Sequence, residues 1–429
     1  MRILVAFEGA GAGEAPLSWG QRDIWASMTR FGEQLPLGGV TPLPPGRSVE
    51  DVAAELRYLM GRYQVLRTRL RFAGDGTPRQ VVAAGGTATL EVLDTEADAE
   101  AEAGRMLDRF RHEPVDFTSD WPIRMGVVRH AGRLTHLCAV IWHIAMDRSG
   151  AAVMLREVAA RVQEPVSGMQ PLEQAGWQAS DAGARQSRSA LRHWERVLRA
   201  MPPPWPRSSL RRERPRHWKG RLVSPAIPLA TRVLADRTGA DPSTTLLAGF
   251  AVAVRRCAGV DPVPVLLVTS NRFRPGLADV VAPVAQPGLC LVDVADATFE
   301  QVVAGAQRAA TTAYKHAYYD TASKESLVAR IAAERGPQFR VDFHLNDRRG
   351  PVLPPARGSL REVVTRRTLD WTPFKDTPSS RLFVHADDAG PATALTCYAD
   401  THHLSLAEAS TVLTTLETVL TDAALQAIG

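Results

Sequence analysis

Short apolar runs alternate along this chain with stretches whose apolar residues recur every three or four positions, the pattern of strands interleaved with amphipathic helices. Residues 1–7 read as an opening strand and residues 9–13, Gly-Ala-Gly-Ala-Gly, as a loop. A helix is predicted from about Ser18 and a second over 49–63, followed by strands over 80–83 and 89–93. A helix over 96–111, strands over 123–129 and 134–141, and a helical pattern over 151–161 complete a first lobe, assigned to residues 1–175.

The pattern breaks between 165 and 220, where Gly, Ser, Arg and Pro surround one amphipathic helix near 187–198. Pro202, Pro203, Pro204 and Pro206 then stop any helix or central strand. Residues 176–220 are expected to be a basic, Pro-rich linker over the surface. Residues 221–429 form a second lobe whose helix, apolar strand, helix, strand and final helix loosely repeat the first, without a residue-level repeat.

With 429 residues, of which 45% are hydrophobic and 23% charged, the chain can bury two substantial cores and has the balance of a soluble enzyme. No apolar run reaches the roughly 18 residues that cross a bilayer, and the first residues lack the succession of a secretion signal. A cytoplasmic protein with no membrane partner is expected. Cys138, Cys257, Cys290 and Cys397 are far apart in apolar surroundings, which suits reduced core thiols.

The net charge of +5 is concentrated. Residues 207–221 hold seven basic side chains (Arg207, Arg211, Arg212, Arg214, Arg216, Lys219 and Arg221) against Glu213 alone, so the remainder is close to neutral. Only Trp218 interleaves with them, so nucleic acid is not the expected partner. The segment reads either as a solvated linker or as a surface that steers an acidic partner. Residues 9–13 lack the Lys-Ser/Thr ending of a P-loop and the G-x-G-x-x-G spacing of a dinucleotide site. His402-His403 has no evident third ligand, so no metal is expected, and Ser149 lacks the elbow of a Ser triad.

The chemistry is expected where the apolar strand 134–141 runs out into Trp142, His143 and, four positions on, Asp147. An imidazole in such a bend can face a cavity, and its ordinary pKa near 6.5 lets it take and return protons at neutral pH. Near His143, the Asp147 carboxylate could orient a neighbouring group.

The bend resembles the HHxxxDG signature of the condensation domains of nonribosomal peptide synthetases, with Trp142 in the first His position, His143 in the second, Asp147 retained and Arg148 in place of Gly. Other segments resemble that family in the same order. Residues 18–25 (Ser-Trp-Gly-Gln-Arg-Asp-Ile-Trp) are similar to its S-x-A-Q-x-R-L-W opening, and 62–70 to R-H-x-x-L-R-T-x-F. Residues 244–259 and 265–272 resemble a helix and a strand that end in Asn271-Arg272, 336–343 is similar to N-P-L-F-Q-V-x-F, and Tyr398-Ala399-Asp400 looks like the terminal strand.

The resemblance implies an α/β (α+β) fold of two chloramphenicol acetyltransferase-like lobes, a V-shaped pseudo-dimer with a central channel. It implies His143 as the catalytic residue, as general base or as the group that orients the amine, and Asp147 as a buried structural acid paired with Arg67. Trp142, Arg148, Ser149, Asn271 and Gln286 become channel or substrate candidates. Two of them, Trp142 for His and Arg148 for Gly, depart from the signature, and Gln286-Pro287 stands where the family's G-P-F-V-N-T loop has Asn. Arg211, Arg212, Arg214 and Arg216 become candidates for binding an acyl or peptidyl carrier protein. No cofactor is expected to be bound; the substrate would arrive on the carrier's phosphopantetheine and meet a small amine or hydroxyl acceptor. The expected function is a free-standing acyltransferase of natural-product biosynthesis that forms an amide or ester. The alternatives are a silent recruitment domain and a condensation-fold enzyme that cyclises a peptide.

Overall fold

Helix starts are written into the chain as reciprocal caps. Ser18 Oγ accepts from Gln21 N–H while the Gln21 side-chain oxygen accepts from Ser18 N–H, and Ser48 with Asp51 does the same. The structure, a computed structural model, describes residues 1–203, 212–336, 339–350, 359–363, 366–376 and 380–428. Its contacts divide the chain into two units, one of Met1–Arg185 with Ser270–Ala285 and one of Gln186–Thr269 with Gln286–Gly429.

The first unit runs β1 (Arg2–Glu8), β2 (Gly13–Pro16), α1 (Trp19–Phe31), β3 (Pro36–Pro42), α2 (Val49–Arg62), a 3-10 turn (Gln64–Arg67), β4 (Thr68–Phe72), β5 (Pro78–Val82) and β6 (Gly85–Thr95). It continues through α3 (Ala99–His112), β7 (Ile123–His130), β8 (Arg133–Trp142), α4 (Arg148–Ala160) and α5 (Pro171–Ala179). Its main sheet has the order β1-β6-β7-β8-β3, and β2-β5-β4 forms a second, smaller one. Strands β6 and β7 are parallel, so α3 between them is a crossover helix. It packs tightly, because a Cβ at Gly126 would stand 2.6 Å from the Met106 sulfur. Cys138, Val140 and Trp142 of β8 turn into this core with Met106 and Phe110 of α3.

The second unit begins within α6 (Asp181–Ala200) and runs β9 (His217–Ser224), α7 (Ala226–Thr238), α8 (Pro242–Ala258), β10 (Val263–Thr269), β11 (Gln286–Val292), α9 (Phe299–Lys315), α10 (Thr321–Arg335) and β12 (Phe343–Asp347). A short α11 (Leu360–Val363), β13 (Thr368–Lys375), β14 (Leu382–Ala389), β15 (Ala392–Asp400) and α12 (Leu406–Ile428) complete it. The sheet order is β11-β10-β12-β14-β15-β9-β13, with β12 parallel to both β10 and β14. Leu345, Val384, Leu395 and Cys397 of this sheet share a core with Leu246, Phe250, Leu416 and Leu420 of α8 and α12.

The expected linker 176–220 is only partly one. Ala190, Trp194 and Leu198 of α6 are buried with Leu266, Leu289 and Ile331, because the apolar residues of this polar stretch fall on one face at helical spacing. Residues 204–211, with the proline run's end, Arg207 and Arg211, lie outside the described residues. All four cysteines are free thiols; burial pushes Cys138 up to about 11 and Cys290 up to about 12.

Burial also depresses five histidines of the second unit, among them His193 and His403. His217, His344 and His385 are each pushed down to about 4, mainly because the low-dielectric interior penalises the charged ring; Asp400, 3.7 Å from His217 Nε2, opposes this at one of them. A depressed histidine stabilises the fold above its unfolded value of 6.5, and that contribution is lost as pH falls towards 4. Asp342, raised to about 6 by burial beside Arg381, acts in the opposite direction, its protonation favouring the fold as pH falls. Five depressed histidines outweigh one raised aspartate, so stability should drop on acidification from pH 6.5 to 4. His385→Gln should reduce the slope of unfolding free energy against pH, measured in urea, by about 1 kcal/mol per pH unit averaged over that window. An unchanged slope would show that His385 is not buried neutral.

Candidate active site around His143 and Asp147

Period-two alternation decides which side chain of the bend reaches the core. Cys138, Val140 and Trp142 lie on one face of β8, and the next residue, His143, falls off it. The backbone then folds into turns, with Ala145 N–H donating to Trp142 O at 2.8 Å and Met146 N–H to His143 O at 3.2 Å. His143 N–H donates to Leu35 O at 3.0 Å, which fixes the bend beside the start of β3. The ring is half-buried, and its Nδ1 is buried with no hydrogen-bond partner among the described residues.

Asp147 caps α4, three residues earlier than the periodicity of 151–161 predicts a helix. Its carboxylate is 4% exposed and accepts five hydrogen bonds. Oδ1 takes Gly150 N–H at 2.8 Å and Arg272 Nη2 at 2.7 Å; Oδ2 takes Arg272 Nη1 at 2.9 Å and the N–H groups of Val284 and Ala285 at 3.1 and 3.3 Å. The arrangement is a bidentate fork completed by a helix N-terminus, two features that favour a negative charge. With both oxygens so engaged, Asp147 acts on the backbone around His143 and does not orient the imidazole.

The buried arginine partner of Asp147 is therefore Arg272, and the pairing with Arg67 is corrected. Arg67, 1% exposed at the end of the 3-10 turn, donates to three carbonyls, Gly11 O at 2.8 Å, Ala10 O and Ala83 O. Burial without a carboxylate lowers its pKa. The glycine run consequently has the reverse polarity of a phosphate cradle: it turns oxygen atoms, not N–H groups, towards a cation. The Cβ of any larger residue at Gly9 would stand 2.6 Å from Arg67 Nε.

Residues 270–285 leave one strand of the second unit and return to the next, and within the first unit they are held at several points. Asn271, at φ 58°, donates from Nδ2 to Val284 O at 2.9 Å and closes the neck of the loop. Arg156 of α4 pairs with Asp279 at 2.8 Å, and Met169 N–H donates to Gly276 O at 2.9 Å. Helix α1 touches the loop at Gly20, where a Cβ would lie 2.0 Å from Pro283 O.

Several substrate candidates take structural places. Trp142 is fully buried, edge-on to Phe117 at 6.3 Å and beneath the Arg124 guanidinium at 4.9 Å, so it fills the core and lines no channel. Asn271 is fully buried in the loop neck. Gln286, 1% exposed in the second unit, is engaged with Tyr319 backbone and the Thr321 hydroxyl. Arg148 is exposed in the first turn of α4 and Ser149 half-buried beside it; Arg148 has a helical, not a left-handed, backbone, so replacing Gly there brings no strain. Arg216 is committed to Asp400 through Nε at 2.8 Å and Nη2 at 2.6 Å and is not available to a carrier. Arg212 and Arg214 are exposed, and Arg211 lies outside the described residues.

Two features of the structure are not among the residues that the sequence singles out. Arg272 was visible only as half of an Asn-Arg pair, although a buried Asp147 demands a cation. The second unit's sheet also carries, off its core face, the half-buried rings of His344, Phe383, His385 and Tyr398, successive centroids 5.1, 4.4 and 5.8 Å apart. Alternation in 382–386 (Leu-Phe-Val-His-Ala) signals that face.

Removing one partner of the Asp147 fork strands the other, so Asp147→Asn should cost about 3–5 kcal/mol of stability. In a double-mutant cycle Asp147→Asn and Arg272→Gln should be strongly non-additive, whereas Asp147→Asn and Arg67→Gln should add to within about 0.5 kcal/mol. Coupling to Arg67 instead would restore the original pairing.

The sequence model of the Condensation domain family matches residues 14–349. Over 383 residues the chain is 26% identical to phosphinothricin tripeptide synthetase PhsC of Streptomyces viridochromogenes, which covers 79% of this chain and 33% of that protein. Over 281 residues it is 28% identical to the AMB antimetabolite synthetase AmbB of Pseudomonas aeruginosa, covering 61% of this chain and 22% of that one. The chain thus spans a third or less of the length of these relatives. Among solved structures, a condensation domain that mediates chain release from the enacyloxin polyketide synthase superposes with a TM-score of 0.75 at 21% identity, over 98% of this chain and 84% of that one. The X-domain in complex with OxyB from teicoplanin biosynthesis gives 0.73 at 20% identity, over 97% and 95%. The expected α/β, chloramphenicol acetyltransferase-like fold is thereby shown. With most of its length matched by the family and its fold shared with condensation and X-domains, this chain belongs to the condensation-domain family.

Proposed function

We propose that this chain is a condensation-type acyltransferase, joining an acyl group held as a thioester on a carrier protein's phosphopantetheine to an amine or hydroxyl acceptor. The acceptor nitrogen or oxygen attacks the thioester carbonyl and forms the new bond, its proton passing to the His143 ring. Collapse of the tetrahedral intermediate expels the thiolate, which takes that proton from the ring and leaves as the free thiol, so the reaction consumes no further reagent. The observation that carries this reading is the place of His143: turned off the core face where β8 ends, half-exposed, and in a bend held by the Asp147 fork. The peptide synthetases among its relatives supply the context. Arg212 and Arg214, the exposed members of the basic segment, are the residues left to steer an acidic carrier.

A second reading is favoured by Trp142. The first His position of the signature is spent on core packing, and the likeness extends to an X-domain found in complex with another protein. In that reading the chain recruits a partner enzyme and His143 handles no proton.

Incubation with acyl thioesters on phosphopantetheinylated carrier proteins and candidate amines, with products followed by mass spectrometry, separates the two. His143→Ala should lower the rate by about 100-fold or more without moving the melting temperature. Equal product from both proteins would remove His143 from the chemistry. No product from the wild type, together with a stable complex with a biosynthetic enzyme, would establish recruitment.

A further inference from the structure

Five arginines of α6, Arg185, Arg188, Arg192, Arg196 and Arg199, follow one another at steps of three and four residues, and all are exposed. At 3.6 residues per turn those steps keep them within an arc of about 80°, in a row about 21 Å long. The helix cannot roll to disperse them, because its opposite face, with Ala190, His193, Trp194 and Leu198, is buried. Arg199 is paired with Glu195 at 3.1 Å and Glu334 at 2.6 Å. Arg185, Arg188, Arg192 and Arg196 have no carboxylate within ion-pair distance among the described residues. Like charges at these spacings oppose the helix that carries them, so the row is a standing source of repulsion that an anionic partner would relieve.

We infer that this row is a docking stripe for an acidic α-helix of another protein, one with Asp or Glu at the same three- and four-residue steps. Two helices laid side by side share one rise per residue, so carboxylates on the partner come opposite successive guanidinium groups, which grip them as bidentate forks. On α6 itself the row is one side chain wide: Gln186, Ser189, Leu191 and Glu195 flank it without positive charge, and Arg330 of α10, which stands beside Glu195, is paired with Glu195 at 3.2 Å and Glu334 at 3.3 Å. A nucleic-acid duplex would want a broader basic face with accessible aromatics, whereas the tryptophan of α6, Trp194, is buried. The stripe is distinct from the basic segment at Arg212 and Arg214, and its role does not depend on the reaction proposed above.

The test titrates the whole chain, by fluorescence anisotropy, into a labelled 21-residue helical peptide. Its five glutamates follow the arginine spacing on an Ala/Gln background, and a second peptide carries the same five in one block. The matched peptide should bind at least tenfold more tightly than the blocked one. The triple variant R188E/R192E/R196E should lose at least tenfold in affinity with its helicity and melting temperature retained, while R212E/R214E should lose less than twofold. Equal affinity for the two peptides would overturn the inference, as would binding that survives the triple reversal or falls equally in R212E/R214E. Tighter binding of a 20-base-pair duplex or of phosphatidylserine vesicles through the same three arginines would also overturn it.

Discussion

A single carboxylate organises the first unit's candidate site. Asp147 sits almost out of water, where an unpartnered charge is costly, and five donors from three chain segments converge on it. One is the first turn of α4, so the helix starts where the acid stands. Another is the Arg272 fork, and the third is the backbone at Val284 and Ala285. The bend with His143 is strung between the end of β8 and this anchor, and its backbone has little freedom to move unless five hydrogen bonds move with it.

The strand leading into the bend supplies the complementary constraint. Because β8 sends alternate side chains to opposite faces, a residue beside the histidine that faces inward can be chosen for volume alone, and Trp142 fills that volume against Phe117 and Arg124. The departure from the family signature at this position is thus a change of core packing. Arg148 is equally benign for the backbone, because the residue after the cap is ordinary helix. The signature can be degenerate in two places while the imidazole keeps its position.

Much of this was legible in the order of residues. The helix start near Ser18, the helical pattern over 49–63, the apolar run 134–141 and the sequence from His143 to Asp147 placed the first two long helices, β8 and the bend. What escaped was nonlocal. Strand β3 has proline at both ends and two glycines within it, the composition of a loop, and it forms because it pairs with β8 at the sheet edge. Arg67 and Arg272 are indistinguishable as cations in one dimension; only the fold shows one facing carbonyls and the other the carboxylate. Arg216 looked like part of a free basic segment because Asp400, its partner, lies far along the chain. The arginine row of α6 was hidden within a stretch whose overall composition resembles a linker.

The excursion of residues 270–285 has a bearing on how the protein comes into being. During synthesis the ribosome releases all of residues 1–185 and must then add 186–269 before the guanidinium of Arg272 exists to meet Asp147. Until then the nascent first unit carries at its heart an anion with one of its five donors, Gly150 N–H. Its maturation is tied to the emergence of a large part of its neighbour, and a gene fragment cut at residue 185 encodes a body that lacks its own keystone.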